Sequence, residues 1–525
     1  MLAILLLILL AILTYFFAIK PFNYWKYKNV KASKGIPFFG ENFWVLLSLE
    51  SLTEQVYRIY NLFSNERYFG VYFFTTPLLV VKSPDLVKEL CVKNFDHFVN
   101  RMTLVPDHTD DLFTRNSVSI KGEEWKNVRS TMSPVYTSSK MKVFFNQISH
   151  NADKLVDCIM KNDQTILEVE LKDLLSRFSN DVIARNIYGV EIDSLKDKNN
   201  IFYEMAKKGT HICGYRKKYS ILFYQLAPRI SAFFRLPLAE KEVQSFFVKL
   251  IKDTISIRKA QNITQPDLVG KLIQSTEANE VKTITTKDGS VVKEKNWRTE
   301  EIKNDLSVTD IAAVTFFAFN AGFEAISNVL CFVAHQLALN PDIQKRLIDE
   351  IDENFADNEM PSYGKLLNMS YLDMVISEGL RMWPFLTIID RVSTKKYTIQ
   401  PEKPDELPLT LEPGSLILIP IIGLHYDPRN YEHPEKFDPE RFSAENKKTI
   451  NPYAYLPFGV GPRLCLGNRF ALMEMKIILF KMLCNFEIVP IQRTEVCLKL
   501  NKQALGLTPI NGYHLGLKKR NKFTN

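Results

Sequence analysis

No C-x-x-C pair occurs in this chain, and its seven cysteines (91, 158, 213, 331, 465, 484 and 497) are odd in number and widely spaced. That pattern excludes a secreted disulfide scaffold and points to a reducing compartment. Low-complexity tracts and internal repeats are absent too, and no long basic block accompanies the net charge of +8. Nucleic acid is therefore a poor candidate partner, whereas a basic surface meeting acidic lipid or an acidic protein fits the same charge. What is present is apolar: 46% hydrophobic residues over 525 positions can bury a large core. Two to four ordinary domains, or one large one, fit that length.

Charge is likewise missing from the N-terminal run "LAILLLILLAILTYFFAI", Leu2 to Ile19, which has about the length that spans a hydrocarbon core. Lys20, Lys26, Lys28, Lys31 and Lys34 follow it. A cleaved signal peptide carries its positive charge ahead of a shorter apolar stretch and a small-residue cleavage site behind it; here the order is reversed. The run reads as a retained anchor, with Met1 on the far side and the remainder cytosolic by the positive-inside rule. The expected division is 1–20 membrane anchor, 21–40 basic linker ending in the Gly/Pro hinge "KGIPFFG", and 41–525 one large catalytic body.

Periodicity makes that body mainly α with small β-sheets. "YFGVYFFTTPLLVVKSP" (Tyr68–Pro84) predicts two strands joined by a Thr-Pro turn. "KMKVFFNQISHNADKLVDCIMK" and "VELKDLLSRFSNDVIARNIYG" repeat apolar residues every three or four positions, predicting helices. The polar stretch 278–301 predicts an internal loop. "YTIQ", "LPLTL" and "LILIPI" predict short strands, with "EPGS" as a tight turn between them.

One helix is predicted from about Asp310 to Leu339, opened by the capping box "SVTD" (Ser307–Asp310) and stopped by Asn340-Pro341. At about 1.5 Å per residue it reaches roughly 45 Å. Asp310, Glu324 and His335 interrupt an otherwise uncharged surface, and with Asn320 they suit the centre of a large core better than a membrane. Within "FNAGFEAIS" (Phe319–Ser327), Gly322 costs about 1 kcal/mol relative to alanine. Either something flat presses on the backbone there or the glycine serves core packing. Glu324 is expensive among apolar residues unless paired or functional; a buried structural carboxylate is the plain alternative.

The most shaped loop is "PFGVGPRLCLGNRFA", Pro457 to Ala471. Cys465 has no neighbour with which to share zinc, no second thiol nearby, and no cysteine-protease signature around it. A haem iron needs only one protein thiolate and flat access to the porphyrin. Gly459, Gly461 and Gly467 allow close approach of the backbone, Phe458 can shield the sulfur, and Arg463 can reach a propionate.

"FGVGPRLCLG" is similar at every fixed position to the F-x-x-G-x-R-x-C-x-G loop of the cytochrome P450 family. "SEGLR" resembles that family's E-x-x-R in Glu378 and Arg381, and "FDPERF" its third member in Arg441. Positions i and i+3 share a helix face, so Glu378 and Arg381 can pair and receive Arg441. Such a triad locks an architecture more than it stabilises one. "EEWKNVR" resembles the W-x-x-x-R of the family's third helix, Trp125 and Arg129. The resemblance implies that these meet a haem propionate, with Arg101 in "FVNRM" and Arg391 in "IIDRV" as further propionate partners. "MSPVYTSSKMK", "YGVEIDSL", "HYDPRNYEHPEKFDPERF" and "RFALMEMK" resemble the microsomal clan that includes drug-oxidising enzymes, and insect detoxifying members in detail.

From this resemblance follow a P450 fold behind the anchor, haem b (iron protoporphyrin IX) with Cys465 on the iron, and an endoplasmic reticulum address. The activity implied is NADPH- and O2-dependent monooxygenation of a lipophilic substrate. NADPH and flavins serve through a partner, NADPH-cytochrome reductase, with cytochrome b5 as a second donor. The reductase's acidic face would suit lysines around Lys126, Lys140 and Lys142, which ordinary solvation explains almost as well. Substrate contacts are expected on 102–120, near 205–235, on the distal helix, on Phe385–Ile389 and on Leu505–Leu507. Ala321 and Gly322 would leave room for O2, and Glu324 would help deliver protons. The family usually reads A-G-x-[DE]-T, but this chain has Ala325 where the threonine stands. Ser327 lies about 200° further round the helix and cannot simply replace it. Three outcomes stay open: monooxygenation through ordered water and Glu324, with more uncoupling to peroxide; rearrangement or dehydration of peroxides without O2 activation; or binding of haem and ligand with little turnover.

Overall fold

The computed structural model describes residues 2–103, 105–107, 109–210, 215–234, 237–277, 284–285, 291–292, 306–354, 361–404, 406–504 and 506–520. Most of the predicted 278–301 loop lies outside these residues, as do Leu104, His108, 211–214, 235 and Leu505 among the expected substrate contacts. Helices predominate, and small sheets of four, three, two and two strands flank them.

The long helix spans Val308–Leu339. Its start is a true capping box: the Ser307 hydroxyl accepts from Asp310 N, and Ser307 N donates to the Asp310 carboxylate at 2.9 Å. Asn340 caps its end, and Pro341 opens the next helix, Pro341–Asn354. Among the described residues this is the one helix long and apolar enough to cross a membrane. Every residue from Ile326 to His335 is buried in the protein instead. Asn328 there is satisfied internally: it donates to Leu507 O (2.6 Å) and accepts from the Tyr513 hydroxyl (3.0 Å).

Behind the long helix lies the helix Leu171–Tyr188, capped by Glu170, whose carboxylate accepts from Lys172 N and Asp173 N. The first two residues of the predicted "VELKDLL" helix belong instead to the strand Ile166–Glu170. A Cβ on Gly322 would lie 2.4 Å from Ile183 Cδ1, so this glycine lets the two helices approach closely. Gly379 does the same for Ser370–Met382, where a Cβ would lie 2.3 Å from Val333 Cγ2 of the long helix.

The four-stranded sheet runs Tyr68–Phe73, Thr76–Val81, Leu416–Ile419, Ile389–Val392 in spatial order. The predicted Thr-Pro turn is displaced: Phe73 pairs with Thr76 and Pro77 sits in the strand opposite Tyr72. Parallel pairing to the third strand begins only at Leu78, so the missing proline N–H breaks no ladder bond there. Phe74, in the left-handed region at φ 52°, makes the turn with Thr75. At the N-terminus the apolar run is helical, Leu2–Thr14 as α-helix and Tyr15–Ile19 as π-helix, with Leu2, Ile4 and Leu5 exposed. The chain then docks on the sheet through Trp25, whose indole donates to Val71 O (3.2 Å) and lies over Gly70.

Candidate active site

The loop around Cys465 is held by its own backbone. Cys465 N donates to Phe458 O (2.9 Å) and Leu464 N to Gly461 O (2.8 Å). Gly459 and Gly461 take φ of 77° and 73°, where a side chain would be strained, and a Cβ on Gly461 would strike Cys91 O at 2.0 Å. Gly467 caps the helix Asn468–Asn485 that follows. Cys465 itself is exposed, while Arg463 and Phe470 beside it are buried. Enclosure by protein nevertheless pushes its thiol pKa up, opposed by the Gly467 N–H and by the charges of Arg129 and Arg101. A residue both enclosed and accessible lies on the wall of an internal chamber.

Four arginines gather around this thiol, each expected from the sequence to meet a propionate. Arg391 is fully buried on its strand; it donates to Asp390 O (2.7 Å) and Val460 O (3.1 Å), and its Nε has no partner. Arg101 Nε is likewise buried without a partner. Burial lowers the pKa of Arg101 and of Arg129, and burial with the nearby Arg101 and Arg391 charges drives Arg463 down to about 9. Asp390, which accepts from Met102 N, is the carboxylate that opposes them. Arg463 differs from the expectation in where its nitrogens go: it donates to Val99 O (3.1 Å), Ser117 O (3.2 Å) and Ile120 O (3.1 Å). Its guanidinium lies 3.9 Å from the Trp125 ring, tying the cysteine loop to the segment before Trp125.

Enclosed positive charge in excess of its counter-charge, with two unpartnered guanidinium nitrogens, is costly unless an anion arrives. Haem b carries two propionates and an iron that takes one thiolate, so the donor set fits that group. Arg101, Arg129 and the unpartnered Nε of Arg391 could meet the propionates, and Cys465 could hold the iron.

Behind the cysteine loop, Glu378 and Arg381 pair bidentately at 2.7 and 2.8 Å, both fully buried. Arg441 Nε reaches the same carboxylate at 3.3 Å, and Asp438 N donates to it at 2.9 Å. A residue not singled out in the sequence joins this triad to the loop. His425 meets Arg381 O through Nδ1 and accepts from Leu456 N at Nε2, both at 2.8 Å. Its only advance signal was its place in the "HYDP" stretch.

On the long helix, residues 317, 318, 320–322, 324 and 325 form a partly open stripe beside otherwise buried neighbours, with Ala321 the exposed one. Glu324 Oε1 lies 3.2 Å from Lys172 Nζ of the helix behind. Lys172 also donates to Ser327 Oγ (2.8 Å), and Ser327 donates to Phe323 O (2.7 Å). Ser327 is therefore buried and committed away from Ala325. Lys172 carried no sequence signal, being one lysine among many.

A family model described as Cytochrome P450 matches residues 31–516. "Cytochrome P450 9e2" of Blattella germanica is 38% identical over 517 residues, covering 95% of this chain and 94% of that protein. "Probable cytochrome P450 9f2" of Drosophila melanogaster is 34% identical over 511 residues, 95% of each. "Cytochrome P450 6k1" of Blattella germanica is 33% identical over 519 residues, 98% and 96%.

Proposed function

This chain belongs to the cytochrome P450 family and is a haem-thiolate monooxygenase, and from that premise we propose that it inserts one oxygen atom of O2 into lipophilic small molecules, xenobiotics foremost, using NADPH through a flavoprotein reductase. The observation that carries the reading is the arginine cradle, with its unpartnered Arg101 and Arg391 nitrogens, around an accessible Cys465. Haem iron, when bound by that thiolate, supplies reductive activation of O2. The chain's own residues do the rest. Gly459 and Gly461 shape the loop that presents the sulfur, and the Gly467 N–H favours its thiolate. Arg463 and His425 fix the loop to its surroundings, and the Glu378–Arg381–Arg441 triad braces it. Glu324, held by Lys172, is the carboxyl group on the distal stripe that would relay protons, and Ala321 beside it is exposed. Residues 1–20 anchor the enzyme in the endoplasmic reticulum membrane, 21–40 link, and 41–525 form the cytosolic catalytic domain, with cytochrome b5 as a second donor.

The test is twofold. The reduced protein should give the carbon monoxide spectrum of a thiolate-ligated haem, and Cys465→Ala should abolish it. Turnover with NADPH and reductase under labelled O2 should place label in product; unlabelled products throughout would sink monooxygenation. Ala325, with Ser327 turned away, favours one second reading, rearrangement of lipid hydroperoxides without O2 activation. Rapid hydroperoxide consumption without NADPH would establish it.

A further inference from the structure

After the helix Gly122–Met132, which carries Trp125 and Arg129, the chain makes one 3-10 turn, Ser133–Tyr136. The helix Ser138–Met160 follows and packs on the helix after the cysteine loop, with the Phe144 and Phe470 rings 5.6 Å apart. Tyr136 is thereby held against the cysteine loop. A Cβ on Gly467 would lie 3.7 Å from Tyr136 Cε1, the ring atom next to the one that bears the hydroxyl. The same Gly467 gives its N–H to the Cys465 sulfur. Electrostatics put the phenol in that neighbourhood too: burial pushes its pKa up, the Cys465 charge pushes it further, and Arg129 opposes both.

Packing against the core explains the ring but not the oxygen. Phenylalanine would fill the same position, and a phenol hydroxyl enclosed by protein needs a partner. Among the described residues the Tyr136 hydroxyl has none, and it is not sealed: the side chain is half-buried and its oxygen keeps accessible surface. Like Cys465 it is enclosed and still open, so both lie on the wall of one chamber. A phenol holds its proton at neutral pH and is a donor in need of an acceptor. Arg129 has only donors to offer, whereas a thiolate accepts. We propose that in the haem-loaded protein Tyr136 donates a hydrogen bond to the Cys465 sulfur and so sets how readily the iron accepts an electron. A donor at the sulfur draws charge off the thiolate and favours the reduced iron. Tyr136 acts through Cys465 and touches no substrate. This rests on the haem-thiolate reading and names a control on its reduction.

Spectroelectrochemical titration of the haem-loaded protein measures this without turnover. Tyr136→Phe should shift the equilibrium between ferrous and ferric iron toward ferric by at least about threefold, which is about 28 mV for one electron. 3-Fluorotyrosine placed at 136, a more acidic phenol of nearly the same shape, should shift it the other way. The iron–sulfur stretch in the resonance Raman spectrum should rise in Tyr136→Phe and fall with the fluorinated residue. Unchanged potentials overturn the proposal, and so does a shifted potential with an unmoved stretch, which would put the acceptor at a propionate. Should Tyr136→Phe fail to load haem, the fluorotyrosine protein decides alone by the same two readings. The reduced carbon monoxide spectrum, taken on the same samples, separates the two levels. A wild type without the thiolate signature fails the haem-thiolate reading, whereas a wild type with it but no Tyr136 effect fails only this inference.

Discussion

Replacing His425 by phenylalanine should loosen the cysteine loop from its brace and make stability less sensitive to acid. The imidazole is fully buried and stacked near Tyr455 at 5.6 Å. Because Leu456 N donates to Nε2, the ring proton sits on Nδ1 and is given to Arg381 O. Phenylalanine keeps most of the volume but strands a buried N–H and a buried C=O. At about 1–3 kcal/mol for each unsatisfied group, the cost near pH 7.5 is about 2–6 kcal/mol. Burial is the main cause holding the His425 pKa down at about 3, against 6.5 for an unperturbed group. As pH falls below 6.5 the unfolded chain takes up a proton that the folded one refuses, so this contribution to stability is present above 6.5 and is lost toward 3. At pH 5 about 2 kcal/mol of it is gone in the wild type. The variant has no such loss, so the gap between the two proteins should shrink by about that amount. Urea unfolding at pH 7.5 and pH 5, followed by far-UV circular dichroism, measures both gaps. A difference below about 0.5 kcal/mol at pH 7.5, or one that widens at pH 5, would refute the reasoning.

Glu474 is the opposite case: a fully buried carboxyl with one bond, from Ser179 Oγ (2.8 Å), and a bare Oε2, raised by burial to about 8. Its proton is kept by the folded state while the unfolded state ionises above about 4.5, so stability should fall by about 2–3 kcal/mol between pH 6 and 8, and Glu474→Gln should flatten that slope in unfolding titrations. Gly379→Ala should destabilise despite a helix-propensity gain of about 1 kcal/mol, since Val333 is stiff at χ1 and overpacking costs about 1–3 kcal/mol. Adding Val333→Ala should restore part of the loss in a double-mutant cycle. Ala325→Thr costs the helix less than about 1 kcal/mol and should raise product formed per NADPH consumed severalfold; unchanged coupling would remove Ala325 as the point where protons go astray.

The readable parts of the site share one property, which is that the partners lie close in sequence. Glu378 and Arg381 could be paired from a three-residue spacing, the Ser307 cap from "SVTD", and the close backbone approach at Gly461 of the cysteine loop from its glycines. The Thr-Pro turn failed as a reading because Pro77 looked like a turn former, and only the neighbouring strand, starting at Leu78, makes it harmless inside the sheet. Gly322 was open to two readings, room for a ligand or core packing, and the close approach of Ile183 supports the packing one.

The sequence by itself determined the family, the thiol that can hold an iron, the order of the elements and the absence of a threonine at Ala325. Each is a matter of residue type and short spacing. Only the tertiary structure decided that Arg463 is spent on three carbonyls, that His425 bridges triad and loop, that Lys172 holds Glu324, and that Asn320 is left unpaired. Those contacts join segments from 31 to 364 positions apart, and which of them form depends on how the helices pack. No local propensity encodes the geometry of that closure.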